Sequence, residues 1–153
     1  MTETTAGEVT PARAREAIAR LLAAWERGDL AGLDEVLADD AVYKMPPFPD
    51  MGRDELRDFI PAFRTGFPAL HVTVHEDLVT GATSAHRWTA EGVFSAATPL
   101  LPGVEPTGAP QTAEGIHVLH WSGDVVTEAW HFGDWLGWLT QAGVIPPLPE
   151  AAG

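Results

Sequence analysis

Apolar residues recur at helical spacing through the first part of the chain. Ala14, Ile18, Leu21, Leu22 and Trp25 share one face of a predicted helix from Pro11 to Arg27. Pro11 suits the first helical position, where its missing N–H costs little, and Gly28 ends the run. Leu30, Leu33 and Leu37 predict a shorter helix over about Asp29–Leu37. Leu56, Phe59, Ile60 and Phe63 predict a third over about Asp54–Phe67, which Pro61 should bend or effectively start. Between them, Ala41 to Met45 reads as a short strand broken by Pro46, Pro47 and Pro49.

After Pro68 the period changes to two. Leu70, Val72 and Val74 alternate with His71, Thr73 and His75, and Ala85–Ser95 and Gln111–Trp121 follow as longer strands. Ser122-Gly123-Asp124 turns the chain into Val125–Phe132, and a last helix spans Trp135–Ala142. Three helices, a meandering antiparallel sheet and a terminal helix make an α+β plan with the helices on one face. The segment 96–110 carries four prolines and two glycines, which suits either a mobile lid over a pocket or a disordered surface loop. The whole chain of 153 residues fits one domain, with residues 1–10 and 147–153 expected to be flexible tails.

Candidate chemistry concentrates where the last strand becomes the last helix. Asp134 stands among Trp130, Trp135 and Trp138. Burial there without a partner would disfavour the ionised form and suit a general acid or base. Asp134 is equally well placed to cap the helix that Gly143 ends.

Composition removes several function classes. A net charge of −13 with Lys44 as the single lysine argues against nucleic acid. The absence of cysteine removes disulfides, thiolate nucleophiles and cysteine metal sites. His71 and His75, four apart on a strand, do not converge, so no metal site is expected. No apolar run approaches the roughly 20 residues that span a bilayer, and Met1–Glu8 is too polar for a signal peptide, so the expectation is a cytoplasmic protein without a membrane role.

Several short motifs, in order, carry a resemblance. Glu26-Arg27-Gly28-Asp29, Asp39-Asp40, Phe67-Pro68-Ala69-Leu70-His71-Val72-Thr73-Val74, Arg87-Trp88-Thr89, Pro106-Thr107-Gly108, Gly123-Asp124-Val125-Val126 and Trp130…Asp134…Leu139…Gly143-Val144-Ile145-Pro146 together resemble the SnoaL-like polyketide cyclases over about residues 12–146. The resemblance implies an NTF2-like cone, a curved sheet wrapped around helices with an internal pocket. It also implies a cofactor-independent enzyme in which Asp134 is the acid/base of an intramolecular aldol closure. The chain is similar in outline to ketosteroid isomerase too, but that enzyme's general base, oxyanion tyrosine and protonated aspartate fall on Met45, about Leu21 and His117, so its mechanism is excluded.

The same correspondence places His117, with Gly115 and Leu119, and Tyr43 with Met45, toward the pocket, and Lys44 outside. If Asp134 points inward, alternation sends Phe132, Trp130, Glu128 and Val126 inward as well. The expected lining is apolar and aromatic, with Trp88 and Trp135 contributing and Asp134, His117, Glu128 and Tyr43 as its few polar groups. His117 could orient Asp134, bind a carbonyl or shuttle a proton, or be an ordinary buried histidine. Glu128 could pair with His117 or Arg87, and Tyr43 could donate to an enolate. The opposite face would carry Ile116, Val118, Val125, Ala129, His120 and His131, an apolar surface that predicts a homodimer through the sheets. His86 is also expected outside the pocket.

The sequence therefore points to a cyclase acting on a bulky apolar polyketide in antibiotic-type secondary metabolism. Its chemistry is left between Asp-assisted aldol closure and a pericyclic, Diels–Alder-like [4+2] closure. Phe94 in place of a histidine common in the family, together with the long 96–110 segment, favours the second somewhat. A non-catalytic binder of a hydrophobic metabolite is the alternative. An epoxide hydrolase using Asp134 and Glu128 as paired carboxylates ranks below both.

Overall fold

A computed structural model describes residues 7–150. The element order is α1 (Pro11–Arg27), α2 (Ala31–Val36), β1 (Leu37–Lys44), α3 (Arg53–Gly66), β2 (His71–Thr80), β3 (Thr83–Val93), β4 (Pro110–Ser122), β5 (Val125–Gly133) and α4 (Trp135–Gln141). The architecture is the expected α+β fold, with four helices and a curved, unclosed sheet of strand order β1-β5-β4-β3-β2.

Local chemistry sets the helix ends. The Thr10 side chain accepts a hydrogen bond from Arg13 N–H (3.1 Å) at the start of α1, and Gly28, at φ 72°, closes it in the left-handed conformation that glycine adopts without strain. Inside α3, Pro61 is exposed and the helix runs on through it to Gly66. The buried faces of α1 (Leu21, Ala24, Trp25) and α3 (Leu56, Ile60, Phe63) join Trp88, Ala90, Leu119 and Val126 of the sheet in one core.

Two features depart from a simple meander. First, β1 lies parallel to β5, with Tyr43 beside Ala129 and Lys44 beside Trp130. Second, β5 carries a bulge. His120 pairs with Glu128 but Trp121 pairs with Val126, so Thr127 is an extra residue. Because side chains alternate with period two, one inserted residue transfers everything beyond it to the other face. Val126 is buried before the bulge; after it Ala129 and His131 are buried, while Phe132 is 49% exposed.

The bulge overturns part of the expected lining. Glu128, Trp130 and Phe132 lie on the outer face of the sheet. There the Trp130 and Phe132 rings stack with centroids 5.6 Å apart, Trp130 Nε1–H donates to Glu128 Oε1 (2.6 Å), and Lys44 Nζ sits 4.8 Å from the Trp130 ring centre. Glu128 pairs with neither His117 nor Arg87; Arg87 pairs with Glu76. Ala129 and His131 leave the expected outer face for the same reason.

Contacts hold Val9 and the long loop in place. Val9 is buried and its N–H donates to Gly81 O (3.0 Å), whereas residues 1–6 and 151–153 lie outside the described residues. The 96–110 segment is strapped to the helices: Ser95 N–H donates to Gly66 O, Thr98 Oγ1 to Ala62 O and Thr107 Oγ1 to Ala142 O. Leu100, Leu101 and Val104 pack on the core.

Candidate active site

The helices and the inner face of the sheet enclose a cavity. It measures about 60 Å³ by the room it leaves for water-sized spheres, or about 530 Å³ when all empty space out to its open mouth is counted. Leu22 and Trp25 of α1, Phe63 of α3, Leu70 and Val72 at the start of β2, Trp88 and Ala90 of β3, and Ala113 of β4 form its apolar sides. His117, His131, Gly133, Asp134, Trp135 and Trp138 complete it. No residue of the 96–110 segment is among its lining residues. Phe48, from the proline-rich stretch after β1, instead packs on Trp135 (5.1 Å) and Phe59 (4.9 Å).

Glycines give the largest ring its place. Trp88 Cζ2 lies only 2.1 Å from where a Cβ on Gly115 would stand, and Trp88 Cη2 lies 3.0 Å from the same point on Gly133. The bare backbone of β4 and β5 is therefore the floor on which the indole rests. Gly92 does the same for Trp138, at 2.9 Å.

His117 and His131 belong to a buried polar cluster that continues behind this wall. The Tyr43 hydroxyl is 3.0 Å from His117 Nε2 and 2.7 Å from His131 Nδ1. The His117 and His131 ring centres are 4.3 Å apart, and His86 stacks on His117 at 4.7 Å. Sequence reading placed His86, His120 and His131 outside the pocket; His131 borders it, His86 is buried without bordering it, and His120 is exposed. A signal for His86 was present, since it shares the parity of Trp88 on β3. For His131 the bulge hid it.

Burial keeps these groups neutral. It lowers the pKa of His86 to about 4, with the charge of Asp77 acting weakly the other way, and that of His131 to about 3, helped by His86. His117 is lowered well below the ordinary value by burial first, then by His131 and His86. Burial also raises the Tyr43 phenol, which stays protonated.

The remaining candidates fall as follows. Asp134 borders the cavity but is exposed at its mouth, where Oδ1 accepts from Gly137 N–H (2.8 Å) as the N-cap of α4. Gly137 makes room for it, since a Cβ there would lie 2.2 Å from Asp134 Oδ2. Trp88, Trp135 and His117 border the cavity. Tyr43 and Met45 are buried but stand behind the wall. The cavity surface open to a ligand is carbon almost throughout. With Glu128 on the other face, no pair of carboxylates meets at the cavity, which removes the epoxide-hydrolase arrangement.

The sequence profile of the SnoaL-like polyketide cyclases matches residues 15–142. The chain belongs to the SnoaL-like polyketide cyclase family. Among solved structures it is similar to wild-type IdmH of Streptomyces antibioticus, described as a candidate polyketide cyclase, at 29% identity over 85% of this chain and 98% of that one (TM-score 0.71). A SnoaL-like candidate polyketide cyclase from Jannaschia sp. CCS1 shares the fold at 20% identity, over 92% and 99% of the two chains (TM-score 0.77). TsrD of Streptomyces laurentii does so at 23% identity, over 90% and 100% (TM-score 0.76). No curated protein matches the sequence. Family membership supports an enzymatic cyclase role on a small-molecule polyketide. Among the described residues no helix is long and apolar enough to cross a membrane.

The neutral histidines make stability depend on pH with a definite sign. Each is lowered in the folded state, so between its folded value and about 6.5 the unfolded chain binds more protons, and stability falls as pH falls. The protein should therefore be clearly less stable at pH 5 than at pH 6. Urea unfolding at the two pH values checks this; equal stabilities would contradict the buried neutral cluster.

Proposed function

We propose that the protein is a cofactor-independent cyclase that closes a ring in a bulky, apolar polyketide during natural-product biosynthesis, by holding a flexible chain in one reactive conformer. The observation that carries this reading is the carbon wall backed by neutral polar groups. Such a wall offers little to a developing charge but restricts an apolar chain strongly. Preorganisation of this kind is worth up to about 7–11 kcal/mol of barrier. A pericyclic, [4+2]-like closure needs that and little more.

One observation favours a second reading. Asp134 is the single carboxylate among the lining residues, and it stands at the mouth. In an aldol closure it would take an α-proton and return it to the new alkoxide, with His117 at the cavity wall near the enolate.

The outer face supports a homodimer. Ile116 (45% exposed), Val118, Trp130 and Phe132 sit side by side across β4 and β5, with Lys44 and Glu128 at their edge, an apolar surface on which a second copy would pack.

Asp134→Asn separates the chemistries, because asparagine caps a helix about as well as aspartate while it cannot exchange the proton. With an uncyclised precursor, confinement predicts turnover by the variant within a few-fold of the parent. A loss of about a hundredfold or more would transfer the chemistry to Asp134. No turnover by either protein would favour a binding protein. For the dimer, Phe132→Glu should sediment as a monomer at concentrations where the parent is dimeric; a monomeric parent would refute the interface.

A further inference from the structure

His131 Nε2 has no hydrogen-bond partner among the described residues, yet its ring lies at the centre of the cavity's aromatic wall. Trp25 and Trp88 meet it edge-on at 5.6 and 5.3 Å, and Trp135 stacks over it at 6.5 Å. Nε2 itself lies 3.7 Å from where a side chain on Gly133 would begin, and Gly133 is cavity wall. Unlike His117 Nδ1 and His86 Nδ1, it is not among the fully covered polar atoms without partners.

The hydrogen bonds within the cluster couple the tautomers of its two histidines. Tyr43 has one hydroxyl proton and two histidine neighbours, so it donates to one and accepts from the other. O–H donors make shorter bonds than N–H donors. Both lengths suit the arrangement in which Tyr43 O–H donates to His131 Nδ1 (2.7 Å) and His117 Nε2–H donates to Tyr43 (3.0 Å). In this arrangement the buried, unpartnered Nδ1 of His117 is a bare lone pair and no N–H is stranded there. His131 then holds its proton on Nε2, the atom at the wall.

We infer that His131 is the hydrogen-bond donor of the site: its Nε2–H binds a carbonyl oxygen of the bound polyketide, and Tyr43 is the positioning residue that fixes the required tautomer. The inference rests on reading the cavity as the place of ring closure. It narrows the substrate to an apolar chain with one acceptor oxygen over the Trp25–Trp88–Trp135 cage, best an α,β-unsaturated carbonyl. A hydrogen bond to that oxygen withdraws electron density from the conjugated alkene and activates it toward a diene or an enol, with no proton transferred. Burial keeps His131 a neutral donor, with its pKa lowered to about 3, so the bond costs no buried charge.

Two measurements on the intact protein test it without turnover. Nitrogen-15 shifts of labelled histidine at pH 7 should give the Nε2–H tautomer for both His117 and His131; an Nδ1–H signal for His131 overturns the assignment. Cyclohex-2-enone labelled with carbon-13 at its carbonyl should, at saturation, show a stretch moved to lower wavenumber than in hydrocarbon solvent. The shift should vanish in His131→Phe and shrink in Tyr43→Phe, whose His131 tautomers mix. An unshifted band, an undiminished shift in both variants, or no binding at millimolar ketone overturns the inference. With true precursor, His131→Phe should lower kcat about a hundredfold with little change in KM. A shifted carbonyl without turnover of any precursor would sink the ring-closing reading and leave the donor standing.

Discussion

A single buried hydroxyl ties the site together. Tyr43 sits on β1, His117 on β4 and His131 on β5, and the phenol oxygen bonds both imidazoles where no water competes. Each of these polar groups would cost about 1–3 kcal/mol if buried alone. Joined, the hydroxyl, His117 Nε2 and His131 Nδ1 satisfy one another, which leaves His117 Nδ1 without a partner and an inner face that cannot carry charge. The parallel pairing of β1 with β5 is what brings Tyr43 within reach, since it sets that residue beside Ala129, two positions from His131.

The bulge at Thr127 completes the arrangement. One extra residue turns His131 toward Tyr43 and the cavity, and the same shift places Trp130 and Phe132 on the outer face beside Ile116 and Val118. The inner aromatic wall and the outer apolar surface are thus two consequences of one local irregularity. Without it, β5 would offer the cavity a glutamate, a tryptophan and a phenylalanine, and the Tyr43 hydroxyl would lose its shorter bond.

Much of this fold was legible from spacing. The helical recurrence from Ala14 to Trp25, bounded by Pro11 and Gly28, locates α1 to the residue, and the change of period after Pro68 marks the sheet. Tyr43 and His117 were found through likeness to the isomerase. Alternation failed on β5 because a bulge shifts the phase without altering composition, and Thr127 looks like any strand residue. The 96–110 segment was misread because proline and glycine content reports stiffness and turns; the hydrogen bonds from Ser95, Thr98 and Thr107 that hold it down connect positions far apart in sequence.

The most direct check on the inward-facing cluster is exchange of the histidine ring C2 hydrogens in heavy water, followed by mass spectrometry at pH 7. His86, His117 and His131 should be strongly protected while His71, His75 and His120 exchange freely. Exchange of His131 as fast as His120 would place it on the outer face and contradict the account.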